Sequence, residues 1–166
     1  LGYRTASGKL ACLLLQLHSH SELPEGLLKL FQDESILSVG KRVKNDIENV
    51  GDNFNIRPIT DKMRFVDLAT MSKDRSVITD RRTGLADLVR IILKEKMLKL
   101  TDVRCSKWTT IKLKSEQQEY AALDATKSVE IYSKLLEWPD YHGRLSPSSA
   151  APGTIVDIIP PTGQVG

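Results

Sequence analysis

Tyr120 and Asp124 stand four residues apart in the run YAALDA. At helical spacing that interval puts a phenol and a carboxylate on one face, about one turn from each other, so both groups point at the same object. A hard cation is one such object, because carboxylate oxygens are its natural ligands and a phenol can hydrogen-bond beside them. An aspartate among alanines adds little to helix stability, and on a buried face its charge must be paired or coordinated. On a half-exposed face, or beside an arginine, the same residue needs no cation, and an isolated pair is read that way first. A second carboxylate, Asp46, follows Gly40 by six residues in VGKRVKND. A strand there gives way to a helix, which is where ligands bind in an open α/β sheet. An acidic residue in a first helical turn is also favoured by the helix dipole, so Asp46 alone reads as a cap before it reads as a ligand.

The elements that must position these groups alternate. Ala11 to Leu17, ACLLLQL, is a short apolar run between polar segments and predicts a buried strand. Pro24 suits a first helical turn, with Leu27, Leu28, Leu30 and Phe31 on the apolar side of a short helix. Ser35 to Val39 predicts a second strand, followed by a helix from about Asn45 that contains Asp46, Ile47 and Val50. Such alternation is that of an α/β sheet. Phe65 to Met71 is a further amphipathic stretch. After a charged loop from Lys73 to Arg82, a helix is expected over Leu85 to Lys96. Lys99 to Leu113 lacks a sustained period and predicts an ordered loop. Ser115 is the expected N-cap of the longest helix, which carries Tyr120 and Asp124 and ends at Trp138 and Pro139. Residues 139 to 153, rich in Pro, Ser, Gly and Ala, predict a linker, with the start of a further segment after it.

Composition narrows the classes. With 166 residues and 40% hydrophobic content the chain can build one core, and its net charge of +3 only mildly favours a polyanionic partner. Cys12 and Cys105 lack CxxC spacing, which points away from a disulfide framework or structural zinc and towards a reducing, intracellular setting. The apolar run near the start is far short of the ~20 residues that cross a bilayer. Lys41, Arg42 and Lys44 flank Asp46, and Lys94, Lys96, Lys99, Arg104 and Lys107 gather between the last two helices. Some of them suit contact with the phosphates of a single strand, and most read as solvated lysines. Trp108 could stack on a base, but a loop tryptophan reads first as a packing anchor. His18 and His20 lack a third ligand nearby.

Taken together, CLLLQLHSHSELPEGL, VGKRVKNDIENV, FVDL, GLADLVRIILKEKMLK, RCSKW and LKSEQQEYAALDATKSVEIYSKL resemble the 3′-5′ exonuclease domains of the Werner-helicase and ribonuclease D class, over about residues 10 to 137. The resemblance implies a ribonuclease H-like, three-layer α/β fold in which FVDL falls in a helix. It makes Asp46 and Asp124 metal ligands, Tyr120 the residue that orients the attacking water, and two Mg²⁺ or Mn²⁺ ions the cofactors. The implied substrate is a single-stranded 3′ end of DNA or RNA, with Lys41, Arg42, Lys44, Arg104 and Lys107 as phosphate contacts. The class carries an Asp-x-Glu pair on its first strand, which this chain does not contain, and Asp33, Glu34 and Asp61 cannot stand in for it. Residues 1–138 are therefore expected to be an exonuclease domain lacking its first motif and first two strands, inactive alone and active within a longer polypeptide. The alternative is a catalytically dead module that binds nucleic acid or a protein. A nuclear location suits a relative of this class, although no import signal stands in the sequence.

Overall fold

The computed structural model describes residues 1–97 and 101–139. A hairpin opens the chain, with β1 (Gly2–Arg4) antiparallel to β2 (Leu10–Cys12) and Gly2 opposite Cys12. A 3-10 turn at Leu17–Ser19 leads to α1 (Glu25–Gln32). Next, β3 (Leu37–Gly40), α2 (Val43–Asn53) and β4 (Arg64–Asp67) form a unit whose strands run parallel, Val39 opposite Val66 and Gly40 opposite Asp67. Parallel strands need a crossover, and α2 supplies it. The remaining elements are α3 (Leu68–Asp74), α4 (Leu85–Leu88) running into a π turn at Val89–Leu93, α5 (Thr101–Arg104) and the long α6 (Ser115–Leu135).

Alternation along β4 distributes two cores. Phe65 packs with Leu27, Phe31, Ile47 and Ile59 in the core made by α1 and α2. Val66 and its partner Val39 point the opposite way, into a larger core of Leu68, Leu88, Val89, Ile92, Ile131 and Leu135. Helices thus cover both faces of the parallel pair, as such sheets require. α6 touches β1, β2, β3, α3, α4, α5 and the π turn. Its contact with β1 is very close: a Cβ on Gly2 would stand 2.6 Å from the carbonyl oxygen of Ala125. Among the described residues the architecture is mixed α/β with two separate two-stranded sheets.

Several local expectations change. The strand expected over 11–17 stops at Cys12, and Leu13, Leu14 and Leu15 are 49%, 36% and 44% exposed rather than buried. Leu13 N–H still bonds Leu1 O at 2.8 Å, and Leu14 and Leu15 lie outside the paired strands among the described residues. FVDL is helical only at Leu68: Phe65, Val66 and Asp67 belong to β4, and the Asp67 side chain accepts from Thr70 N–H at 2.9 Å, so it ends the strand and caps α3. The helix expected to reach Lys96 closes at Leu93, where Lys94 turns to φ 60°. A turn of helix, α5, interrupts the expected loop. The N-cap of α6 is Lys114 rather than Ser115, with Gln117 Oε1 accepting Lys114 N–H at 2.9 Å. The region from 139 onward lies outside the described residues apart from Pro139.

Gly51 tests the packing under α2. In a helix interior, alanine should be the better residue by about 1 kcal/mol. A Cβ there would stand 2.6 Å from Ile59 Cγ2 and 2.7 Å from Ile56 O. Gly51→Ala is therefore expected to destabilise the chain by about 1–3 kcal/mol in urea unfolding; a midpoint that rises would contradict the close approach.

Candidate active site

The inward face of α6 changes character along its length. Leu135 and Ile131 are fully buried in the larger core and Ser128 nearly so. One to two turns towards the N-terminus the same face carries Asp124, Ala121 and Tyr120. There it fronts a cavity of about 420 Å³ shared by Asp46, Tyr120 and Asp124, with Lys41, Leu85 and Trp108 among its other walls. The two carboxylates and the phenol singled out by sequence thus line one space, although 74 to 78 residues separate Asp46 from the other two.

Burial raises the pKa of Asp124 above the ordinary value of 3.8, and a hydrogen bond from Tyr120 opposes the rise. Burial also raises Asp46, against the charge of Arg42. Asp46 stands on the exposed rim, so the displacement that matters is that of Asp124. Burial, followed by the Asp124 charge, raises Tyr120 above 10.0 and keeps it a protonated donor at neutral pH. Neither Asp46 nor Asp124 makes a side-chain ion pair among the described residues. Nor do three His, Cys, Asp or Glu residues cluster anywhere in them as a metal site.

Asp46 is delivered by a strained turn. After Gly40, Arg42 adopts φ 58° and ψ 28°, a left-handed conformation that costs a side-chain-bearing residue free energy. The Asp67 carboxylate holds it there, accepting from Arg42 N–H at 2.7 Å through one oxygen while the other caps α3. Although partial burial works to raise it, the Asp67 pKa is lowered by those two backbone donors and by the Lys41 charge. Asp46 follows one turn into α2, its N–H bonded to Arg42 O at 3.2 Å.

The five basic residues separate. Lys41 lines the cavity, but its ammonium donates to Arg81 O at 2.6 Å. Arg42 is exposed at the cap of α2, and Lys44 pairs along the helix with Glu48 at 3.7 Å. Arg104 lies near enough to Tyr120 to oppose the rise in its pKa, and Lys107 is exposed in the segment after α5.

The family model described as 3′-5′ exonuclease matches residues 5–138. The chain belongs to that 3′-5′ exonuclease family. Over 124 residues this exonuclease domain is 30% identical to the bifunctional 3′-5′ exonuclease/ATP-dependent helicase WRN of Mus musculus, covering 75% of this chain and 8% of that protein. It is 32% identical over 127 residues to a 3′-5′ exonuclease of Drosophila melanogaster, covering 75% and 35% of the two. A 3′-5′ exonuclease of Arabidopsis thaliana is 29% identical, covering 73% of this chain and 40% of its own length. The chain therefore spans less than half of each of these relatives. The solved EXD2 exonuclease domain from crystals soaked in Mn is 26% identical and aligns over 83% of this chain and 69% of that one, with a TM-score of 0.34. No helix among the described residues is long and apolar enough to cross a membrane.

Asp67 and Gln117 escaped the sequence reading. The only signal for Asp67 is an acid between an alternating run and a helical one; for Gln117 it is a glutamine three residues past a helix cap. Removing Asp67 leaves two backbone donors without their acceptor, so Asp67→Ala is expected to cost roughly 2–3 kcal/mol in urea unfolding. A loss no larger than that of an exposed aspartate would dismiss the clamp. Asp124 behaves oppositely. A carboxyl whose folded pKa exceeds the unfolded 3.8 stabilises the fold while protonated, and that contribution disappears as pH rises through the folded value. Asp124→Asn is therefore expected to raise the metal-free unfolding midpoint at pH 7, with the difference vanishing below pH 3.8. A lower midpoint at pH 7 would mean that the charge has a partner.

Proposed function

We propose that this domain is the catalytic part of a metal-dependent exonuclease that hydrolyses the terminal phosphodiester at a single-stranded 3′ end of DNA or RNA. The observation that carries the proposal is the shared cavity: Asp46 from α2 and Tyr120 and Asp124 from α6 front one space. Hard divalent cations are the group that fits those donors, since two carboxylates without ion-pair partners among the described residues offer oxygen ligands, and one of them is held partly buried. Asp46 and Asp124 would hold Mg²⁺ or Mn²⁺. The EXD2 exonuclease domain was crystallised and soaked in Mn and Mg. When bound, two such ions activate water and stabilise the leaving oxygen in phosphodiester hydrolysis.

The chain's own residues supply the rest. Tyr120 keeps its proton and can donate to an oxygen in the cavity, orienting a water or a phosphate. Lys41 on the cavity wall, with Arg42, Lys44, Arg104 and Lys107 around it, draws a polyanionic strand towards the acids.

The complete site, we further propose, is a ribonuclease H-like one that needs two more carboxylates, on a strand bearing Asp-x-Glu that these 166 residues do not contain. Two features of the described residues support this: two acids front the cavity, and the two small sheets, both packed on α6, remain separate. The test uses a 3′-labelled single strand with Mg²⁺. The 166-residue chain is expected to release nothing. A longer natural polypeptide carrying the added strand is expected to release nucleotides from the 3′ end, and Asp46→Ala or Asp124→Ala should each lower that rate by at least about a hundredfold. Undiminished release by either variant would defeat the nuclease proposal, whereas release by the 166-residue chain itself would defeat only the claim of a missing strand.

A further inference from the structure

We infer that Trp108 is the stacking platform for the base of the nucleotide whose phosphate reaches Asp46 and Asp124; this rests on the nuclease reading of the cavity. A tryptophan that serves only as an anchor is expected to pack chiefly against a core. Trp108 is instead only partly buried, is not among the buried residues of either core, and forms part of the cavity wall. Its ring meets that of Tyr120 at a centroid distance of 6.2 Å and a tilt of 56°, so the indole and the phenol border the same space.

The indole is also held in place before any ligand arrives. Its Nε1–H donates to Arg104 O at 3.1 Å, which fixes one edge to the backbone of the preceding turn. Gln117, buried at the start of α6, locks the intervening loop: its Nε2 donates to Ser106 Oγ at 2.9 Å and to Lys107 O at 3.1 Å. A side chain already ordered loses little freedom on binding, which favours affinity. The cavity lining offers groups for both parts of a nucleotide: Asp46, Tyr120 and Asp124 suit the phosphate end, and Trp108 and Leu85 suit a base. Every base has a π face, so the platform accepts any base rather than selecting one.

The chain has two tryptophans, so Trp138→Phe leaves Trp108 as the sole indole emitter without altering the proposed platform. Titrating that protein with adenosine 5′-monophosphate in Mg²⁺ is expected to quench its emission saturably, and ribose 5-phosphate at equal concentration is expected to leave it unchanged. Trp108→Ala should weaken adenosine 5′-monophosphate binding, followed by calorimetry, by about tenfold or more, and Trp108→Phe should retain most of it. Binding seen by calorimetry with unquenched emission would overturn the platform, as would equal quenching by the two ligands or no binding by either method. The nuclease reading fails separately: quenching by the nucleotide with no strand hydrolysis by the longer polypeptide leaves the platform standing, and hydrolysis without quenching does the reverse.

Discussion

Placing Asp124 on the inward face of α6, with no cationic side chain paired to it among the described residues, is the constraint that organises the rest of the chain. Three residues of that face, Ser128, Ile131 and Leu135, are buried by α3, the π turn and the parallel sheet, so the helix cannot roll to expose its aspartate. The carboxylate must shed water to stay there, and a hydrogen bond from Tyr120 offsets only part of that cost. Burial disfavours the Asp124 charge, and a carboxylate so placed on a cavity wall suits an external partner better than it suits folding.

The opposite wall is arranged with equal expense. Arg42 occupies a left-handed conformation that a glycine would enter freely, and Asp67 spends both carboxylate oxygens on holding the turn and starting α3. One aspartate thus fixes where another points. The cations nearby are largely committed: Lys44 to Glu48, Lys41 to Arg81 O, Arg81 to Asp74 and Arg82 to Asp80. The net charge of +3 adds only a mild general preference for a polyanionic partner.

How much of this was legible in sequence depends on the range of the interaction. The spacing put Tyr120 and Asp124 on one helix face and Asp46 after a strand ending in glycine, but only the resemblance over residues 10 to 137 joined the three into one candidate site. The α1, β3 and α2 elements were readable from local signals, through the spacing of Leu27 and Phe31 and of Ile47 and Val50. Asp67 was not, since its decisive partner is the amide of Arg42, 25 residues away. Leu13 to Leu15 were misread because apolarity signals burial only when a neighbouring strand exists to receive it. Sequence shows Trp108 as a loop tryptophan but not that the loop, pinned by Gln117, places it on the wall of a cavity.

The close seat of Gly2 on Ala125 has a mechanical meaning. With no methyl at that α-carbon, the hairpin lies flat against the helix backbone one residue from Asp124. The clearance is set by a hydrogen atom, so any bulk added there must act as a wedge, prying the first strand from the helix. Gly2 takes no part in the chemistry proposed for the cavity, yet it sets how closely the hairpin seats beside Asp124.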